Sequence, residues 1–169
     1  TPEEILSDPA DDYVSRFVQN VDRTKVISAG TVGGHVATIT YPREDIKAAM
    51  RVMEKHGSSS VFVTNADRQL KGIVTIDDAV EMQKQGKRDL GEIIVDDVYT
   101  THPTTSIADL LTTAIKTKFP IALIDEHGRF HGAVSRAAIL AELSKGTEEV
   151  ETPMTLSEMA EANQNEGDE

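Results

Sequence analysis

A stretch of about 50 residues occurs twice in this chain, and this duplication constrains the fold more than any other feature. The first copy contains Gly72-Ile73-Val74-Thr75-Ile76-Asp77-Asp78, and the second contains Gly132-Ala133-Val134-Ser135-Arg136-Ala137-Ala138 sixty positions later. Each motif places a glycine and a hydroxyl residue where an apolar strand gives way to a predicted helix. Because a unit of this size cannot bury both faces of a short sheet, the two copies should pack on each other.

The same order of predicted elements surrounds both motifs. Upstream, Val61-Phe62-Val63 and Ile121-Ala122-Leu123-Ile124 are each followed by a polar turn and a second apolar run, which is the pattern of a β-hairpin. Apolar residues at helical spacing precede each hairpin and follow each motif. The predicted fold class is therefore α/β (α+β), with two β-α-β-β-α repeats packed as a pair.

Thr75 and Asp78 carry the chemistry of the first motif. A hydroxyl and the free amides of a helix N-terminus suit a phosphate oxygen, and a carboxylate suits the two hydroxyls of a ribose. Each residue also has a purely structural interpretation, since Thr75 could be an N-cap and Asp78 could stabilise the helix dipole. Taken one by one, the residues leave both interpretations open.

The paired units resemble a tandem of CBS (cystathionine β-synthase type) domains, because Gly72, Thr75 and Asp78 match that family's Gly-x-x-Thr-x-x-Asp motif for adenosine nucleotides. The resemblance implies a ligand-binding cleft, with AMP, ATP or cyclic di-AMP as a regulatory ligand and with no required cofactor. The residues predicted to bind the ligand come from both copies. They are Gly72, Thr75, Asp78, Thr38, Ile39, Ser135 and Arg136.

The second motif departs from the first in its acidic position. Ser135 keeps the hydroxyl, but Ala138 stands where the first copy has Asp78, so a second ribose contact is lost. Arg136 adds a positive charge beside the hydroxyl, which favours phosphate. We therefore expect at most one well-formed nucleoside pocket in each chain.

A second resemblance concerns the parent protein. The amino-terminal run from Thr1-Pro2-Glu3-Glu4-Ile5-Leu6 to Phe17-Val18-Gln19-Asn20-Val21-Asp22-Arg23 is similar to the end of the ATPase domain in ATP-binding subunits of glycine betaine/proline ABC importers. Pro120 to Arg129 also resembles that family. This implies a cytoplasmic regulatory module at the inner face of the membrane, with ATPase and transmembrane subunits as partners. The alternative is a dimerisation scaffold with an empty cleft.

Several classes of function are not expected from this sequence. It contains no Gly-x-x-x-x-Gly-Lys-Ser/Thr loop, which supplies the lysine and the hydroxyl that ATP hydrolysis needs. It has no cysteine, and His127 and His131 straddle a predicted turn at Gly128, so neither a catalytic residue nor a metal site is expected. Nucleic acid is not expected as a partner.

Residues 147–169 form an acidic tail. They contain eight acidic residues and no lysine or arginine, while the other 146 residues carry 21 acids and 17 bases, so the tail holds eight of the twelve net negative charges. Having few bulky apolar groups, the tail is predicted to be mostly disordered, with a marginal helix near Leu156 to Ala162 as the alternative.

Four basic residues are spaced four apart along the predicted first helix: Arg43, Lys47, Arg51 and Lys55. Like charges at this spacing repel each other, so an anionic partner would compensate them. Two partners are considered: the acidic tail, whose contacts would loosen as salt rises, and an anionic membrane surface. Either would let the module sense ionic strength. The alternative is a solvated face whose charge is diluted by Glu44 and Glu54.

These patterns divide the chain into four parts: a helical lead-in at 1–30, a first repeat at 31–85, a second repeat at 86–146 and a flexible tail at 147–169. We expect a homodimer, as the parent ATPases are paired, formed through the apolar faces of the repeat helices. The residues expected on those faces are Met50, Met53, Ala79, Val80 and Leu111.

Overall fold

The computed structural model describes residues 14–15, 22–145 and 153–166. Most of the predicted helical lead-in at 1–30 therefore lies outside the described residues, as does the end of the acidic tail. Within the described part of the chain, no helix is long and apolar enough to span a membrane.

The predicted order of elements is confirmed in both repeats. The first repeat contains β1 (Thr38–Thr40), α2 (Ile46–His56), β2 (Ser60–Thr64), β3 (Leu70–Thr75) and α3 (Ile76–Lys84). The second contains β4 (Thr100–Thr101), a 3-10 helix (Ile107–Leu110) that continues into α4 (Leu111–Lys116), β5 (Ile121–Ile124), β6 (Phe130–Val134) and α5 (Arg136–Leu143). A short helix, α1 (Ala29–Val32), precedes the first repeat, and α6 (Leu156–Glu166) follows the second.

Each repeat has its own three-stranded sheet. The strand orders are β1-β2-β3 and β4-β5-β6, and in each sheet the first pair of strands is parallel and the second is antiparallel. The register is the same in the two hairpins, because Phe62 pairs with Ile73 and Ala122 pairs with Ala133. The duplication seen in the sequence is thus a duplication of backbone geometry.

The segment that precedes each repeat packs on the other repeat. Gly34, before β1, forms a bridge with Ala133 of β6, and Val95, before β4, forms a bridge with Ile73 of β3. Likewise Ala29 is buried in the core of the second repeat, whereas Leu90 is buried in the core of the first. This exchange joins the two repeats through backbone hydrogen bonds as well as through side chains.

A shared core lies between the two sheets, as the duplication predicted. The rings of Phe62 and Phe130 pack with their centroids 5.1 Å apart, and the hairpin turns meet at a bridge between Gln69 and Arg129. The buried members of this cluster come from both repeats. They are Phe62, Ile73, Ala122, Phe130 and Ala133.

The predicted dimer face needs correction. Met53 and Ala79 are fully buried in the core of the first repeat, because they lie on the sides of α2 and α3 that face its sheet. Met50 and Val80 are half-buried, and of the five predicted residues only Leu111 is exposed, at 36%. The apolar surface of the first repeat is therefore smaller than its sequence suggests.

The acidic tail contains a helix, which begins after the non-helical residues 153–155. Residues 156–166 form α6, so the prediction of disorder is wrong there and the alternative of a helix near Leu156 to Ala162 is right. The helix runs slightly farther than predicted. Residues 146–152 and 167–169 lie outside the described residues.

Candidate functional site

The motif glycines are required by the backbone of the partner repeat. Gly72 has φ of 153°, and a Cβ placed there would lie 2.3 Å from the carbonyl oxygen of Val95. Gly132 has φ of 148°, and its Cβ would lie 2.3 Å from the carbonyl oxygen of Gly34. Residues other than glycine rarely adopt this backbone conformation. Both glycines therefore allow the segment before one repeat to pack against the strand of the other. Gly72 is also buried, which gives it a structural role whether or not a ligand is bound.

The motif hydroxyls cap the helices that follow them. Thr75 Oγ1 accepts a hydrogen bond of 3.2 Å from the amide of Asp78, and Ser135 Oγ accepts one of 3.1 Å from the amide of Ala138. The structural interpretation of these hydroxyls as N-caps is therefore correct. Each hydroxyl keeps its own proton, which it can still donate to a ligand oxygen.

Beside the first motif lies a cleft between the two repeats. One part of it is an apolar cavity of about 470 Å³, a volume within the range of small-molecule sites. Its walls come from the segment before β1, from α2, from the start of β2 and from the second repeat. The lining residues are His35, Val36, Ala37, Val52, His56, Ser58, Ser60, Val61, Phe62 and Pro120.

The second part of the cleft measures about 420 Å³, and because six of its ten lining residues carry polar side chains, we call it the polar cavity. It adjoins the first part, since Ser58, Ser60 and Pro120 line both cavities. The other residues lining it supply hydroxyls, one carboxylate and one ammonium group. They are Gly57, Ser59, Thr75, Ile76, Asp77, Lys118 and Phe119.

Only some of the predicted ligand-binding residues line this cleft. Thr75 lines it, but Asp78 lies exposed on the first turn of α3, and the carboxylate that lines the polar cavity is the preceding Asp77. Ile39 is fully buried in the core of the first repeat, so its side chain is not available to a ligand. The extended entry contributes His35 to Ala37 instead, just before Thr38, which is half-buried.

The second motif lies beside a loop that is closed by its own side chains. Arg136 Nη2 donates a hydrogen bond to the carbonyl oxygen of Thr117. Thr117 is itself buried, and its hydroxyl donates to the carbonyl oxygen of Phe119 and accepts from the Phe119 amide at 3.3 Å. Neither cavity of the cleft includes Ser135 or Arg136. The guanidinium predicted to favour phosphate therefore holds a loop in place.

The basic series lies along α2. Lys47, Arg51 and Lys55 are exposed on one side of the helix, and Arg43 is exposed just before it. Among the described residues, none of the four forms an ion pair. Glu44, predicted to dilute their charge, instead accepts a hydrogen bond of 2.9 Å from the amide of Thr40. This hydrogen bond does not remove the negative charge of Glu44, and Glu54 is exposed on α2, so both predicted carboxylates still lie close in sequence to the four cations.

The turn between β5 and β6 holds a hydrogen bond between a carboxylate and an imidazole. The carboxylate of Asp125 accepts from His131 at 2.9 Å and also accepts from the amides of His127 and Arg129, and these bonds lower the pKa of Asp125 to about 2, that of His131 having the largest effect. His127 lies within this turn and His131 lies on β6, with Gly128 between them. Within the described residues, no group of histidines and carboxylates is arranged to hold a metal ion.

Several residues of the cleft had not been singled out in the sequence, namely Ser58 to Ser60, His35, His56 and Lys118. They lie in loops, at the end of α2 or at the start of β2, and carry no motif. The serine run between a helix and a strand was the available signal for Ser58 to Ser60. Lys118 could not have been found this way, because it belongs to the second repeat and faces the cleft of the first.

Comparison with known proteins identifies the family. A model of the CBS domain family matches the chain twice, over residues 36–84 and 90–145. The two matches together cover more than half of the chain. The chain therefore belongs to the CBS domain family and contains a tandem pair of CBS domains.

The relatives of the chain include ATP-binding subunits of transporters. The glycine betaine/carnitine transport ATP-binding protein of Listeria monocytogenes is 35% identical over 144 residues, which are 85% of this chain and 36% of that protein. The chain thus spans about a third of the length of this relative. Similarity to ATP-binding subunits of glycine betaine importers, inferred from the sequence, is confirmed.

Solved structures share the fold. Staphylococcus aureus OpuCA superposes with a TM-score of 0.61 at 20% identity, covering 68% of this chain and 97% of that one. CBSX2 in complex with AMP superposes with a TM-score of 0.58 at 15% identity, covering 68% of this chain and 93% of that one. The two packed β-α-β-β-α repeats predicted from the sequence therefore have the fold of a CBS pair.

Proposed function

We propose that this CBS pair is the regulatory module of an ATP-binding subunit in an osmoregulatory importer of quaternary amines such as glycine betaine. We further propose that an adenine nucleotide binds in the cleft between the repeats and biases the conformation of the transporter. The observation that carries the proposal is the division of one cleft into an apolar part and a polar part that contains a lysine.

The two parts of the cleft suit the two ends of a nucleotide. The apolar cavity offers Val36, Val52 and Val61 as walls for a planar base. The polar cavity offers the hydroxyl of Thr75 and the ammonium group of Lys118, which suit phosphate oxygens. A carboxylate on the first turn of α3 suits the ribose hydroxyls, and we assign this contact to Asp78, with Asp77 as the alternative. CBSX2, a protein of the same fold, has been solved with AMP.

Binding in this cleft would act on the contact between the repeats. The cleft takes walls from both, so a ligand that fills it favours the arrangement in which these walls are close together. A change in that arrangement is what the rest of a longer subunit could sense. In this proposal ATP hydrolysis belongs to the rest of that subunit, and the module lies at the cytoplasmic face of the membrane through its transporter partners.

Calorimetric titration of the chain with AMP, ATP and cyclic di-AMP tests the proposal. We expect saturable heat with at least one of the three. The Asp78→Ala variant should bind more weakly, while Ser135→Ala, at the matching position of the second repeat, should bind as the wild type does. Absence of binding by all three ligands would leave the chain as a dimerisation scaffold with an empty cleft.

Ionic-strength sensing is a second candidate function, favoured by the exposed basic side of α2. Lys47, Arg51 and Lys55 have no ion-pair partner among the described residues. Several cations near an anionic lipid surface contribute about 1 kcal/mol each, and salt screens this attraction.

Sedimentation with vesicles tests this candidate. The chain should bind vesicles rich in anionic lipid at low salt and release them as the KCl concentration rises. It should not bind zwitterionic vesicles. Replacing Lys47, Arg51 and Lys55 by Gln should abolish binding. Equal binding by this variant and the wild type would contradict the assignment. The proposed homodimer is checked separately by light scattering, against the monomer mass of 18.4 kDa.

A further inference from the structure

The helix in the acidic tail has a well-defined start. The amide of Glu158 donates to Thr155 Oγ1 at 3.2 Å, and the amide of Thr155 donates to Glu158 Oε2 at 3.1 Å. These reciprocal bonds form a capping box, and Met154 and Met159 occupy the positions of a hydrophobic staple. A solubilising segment needs neither device, so this sequence specifies a helix that begins at a fixed residue.

The apolar side of α6 is exposed. Leu156 is 86% exposed, Met154 56% and Met159 49%. At 100° per residue, Leu156, Met159 and Ala160 share one side of the helix, and Glu158 and Glu161 lie on the opposite side. An isolated helix of 11 residues is only marginally stable in water, so a packing partner for this side would stabilise it.

The second repeat has a matching surface, formed by α4 and α5, which pack against each other. Leu111, Ile115 and Leu140 are 36%, 68% and 42% exposed on these helices. We call these three residues the apolar face of the second repeat. The equivalent positions of the first repeat are Met50 and Val80, both half-buried, and the charged Glu54. The apolar face therefore occurs on the repeat from which the tail emerges.

We propose that α6 docks on the apolar face of the second repeat in the same chain, with Leu156 and Met159 against Leu111, Ile115 and Leu140. Ten residues, 146–155, connect the body to α6 and can span up to about 33 Å, so the helix can reach a face that includes α5 itself. The docked tail then covers Leu111, which a homodimer formed through this face would also need, so docking and pairing through this face exclude each other.

The charges around the face permit an acidic helix to approach. Glu142, the carboxylate at the end of α5, is held by Arg23 at 3.1 Å and by Lys145 at 2.9 Å, so its charge is compensated. Lys116, exposed at the end of α4, can meet the acidic side of α6. Because the contact itself is apolar, it should persist at high salt, unlike a tail held on α2 by charge alone.

Pairs of introduced cysteines test the docking in the full chain, which has no cysteine of its own. Met159→Cys with Leu140→Cys is treated with a short bis-maleimide at low protein concentration. Two control pairs share the connecting segment 146–155 with the test pair: Glu161→Cys with Leu140→Cys uses the opposite side of α6, and Met159→Cys with Val80→Cys uses the first repeat. All four positions are at least partly accessible, so the fold should be retained.

We expect the first pair to cross-link within one chain at least about tenfold faster than either control, because docking raises the local concentration of the two thiols. Adding Leu156→Asp should remove this preference, and raising KCl should leave it. Equal rates in the three pairs would show that α6 is undocked. Faster reaction of the pair with Val80→Cys, or cross-linking chiefly between chains, would place the helix on the first repeat or on a second copy and overturn the proposal. Since no nucleotide is present, the result is independent of the proposed ligand site.

Discussion

The two repeats share a backbone but differ in the loop that joins the first helix to the hairpin. In the first repeat this loop leaves α2 through Gly57, in the left-handed conformation, and presents Ser58, Ser59 and Ser60 to the cleft. In the second repeat Arg136 holds the equivalent loop through Thr117. The side chains that follow Thr117 point to the first repeat's cleft, which Lys118, Phe119 and Pro120 help to line.

This difference supports the proposal that the duplicated fold holds a single site. In the second repeat, Arg136 fixes the loop at Thr117, and the next residues of that loop line the cleft of the first repeat. The exchange of segments at Gly72 and Gly132 keeps the repeats in a fixed relation, so a lysine from one can face a threonine from the other. We therefore propose one nucleotide site in each chain, formed by both repeats.

The largest effect should come from the feature that the repeats share. Gly72→Ala and Gly132→Ala each force a Cβ against a carbonyl oxygen at 2.3 Å in a conformation that alanine avoids. We expect each to lower the free energy of unfolding by at least about 3 kcal/mol, measured by urea denaturation. Gly34→Ala, where an added Cβ meets nothing within 4 Å, is the control and should be nearly neutral. A neutral Gly132→Ala would mean that the exchange is not symmetric.

The next largest effect should come from the acidic position, which only the first motif has. Asp78→Ala should weaken AMP binding by about 1.5 to 3 kcal/mol, the scale of a hydrogen bond to a charged group, with little loss of stability. Asp77→Ala is the matched variant one residue earlier. If only Asp77→Ala weakens binding, the ribose contact lies at the residue that lines the cavity. Unchanged affinity in both variants would remove α3 from the site.

The fold was predictable from the sequence because its signals are local and occur twice. Apolar periodicity located the helices and strands, and the glycine-hydroxyl motif located the start of α3 and of α5. The buried position of Ile39 and the approach of Lys118 were not predictable, because both depend on how the repeats pack. The same holds for Arg136, whose charge suggested phosphate although its guanidinium bonds to Thr117 in the folded chain.

A smaller effect should distinguish phosphate from nucleoside. Lys118→Ala should weaken AMP binding by about 1 kcal/mol, as for an exposed charge contact, and should leave adenosine binding unchanged because adenosine has no phosphate. Lys116→Ala, at the end of α4 and outside both cavity linings, is the control. An equal loss for AMP and adenosine would indicate that Lys118 shapes the cleft and makes no contact with phosphate.

The smallest effect concerns the hairpin turns. Asp125 and its equivalent Asn65 each accept two amide hydrogen bonds, but only Asp125 titrates, with its pKa lowered from 3.8 to about 2, chiefly by the bond from His131. A lowered pKa stabilises the fold above about pH 4, and this stabilisation is lost as the pH falls towards 2. Asp125→Asn should flatten stability over this range in acid denaturation. An unchanged pH profile would show that the turn contributes nothing to acid sensitivity.

A titration of the ¹⁵N-labelled chain with AMP, followed through the backbone amide resonances, tests for a single site shared by both repeats. We expect the resonances of Ser58, Ser59, Lys118 and Phe119 to shift together and saturate at one AMP per chain, while those of Ser135 and Arg136 change little. Shifts centred on Ser135 and Arg136, or two independent sets of shifts that saturate at two AMP per chain, would contradict a single site shared by both repeats.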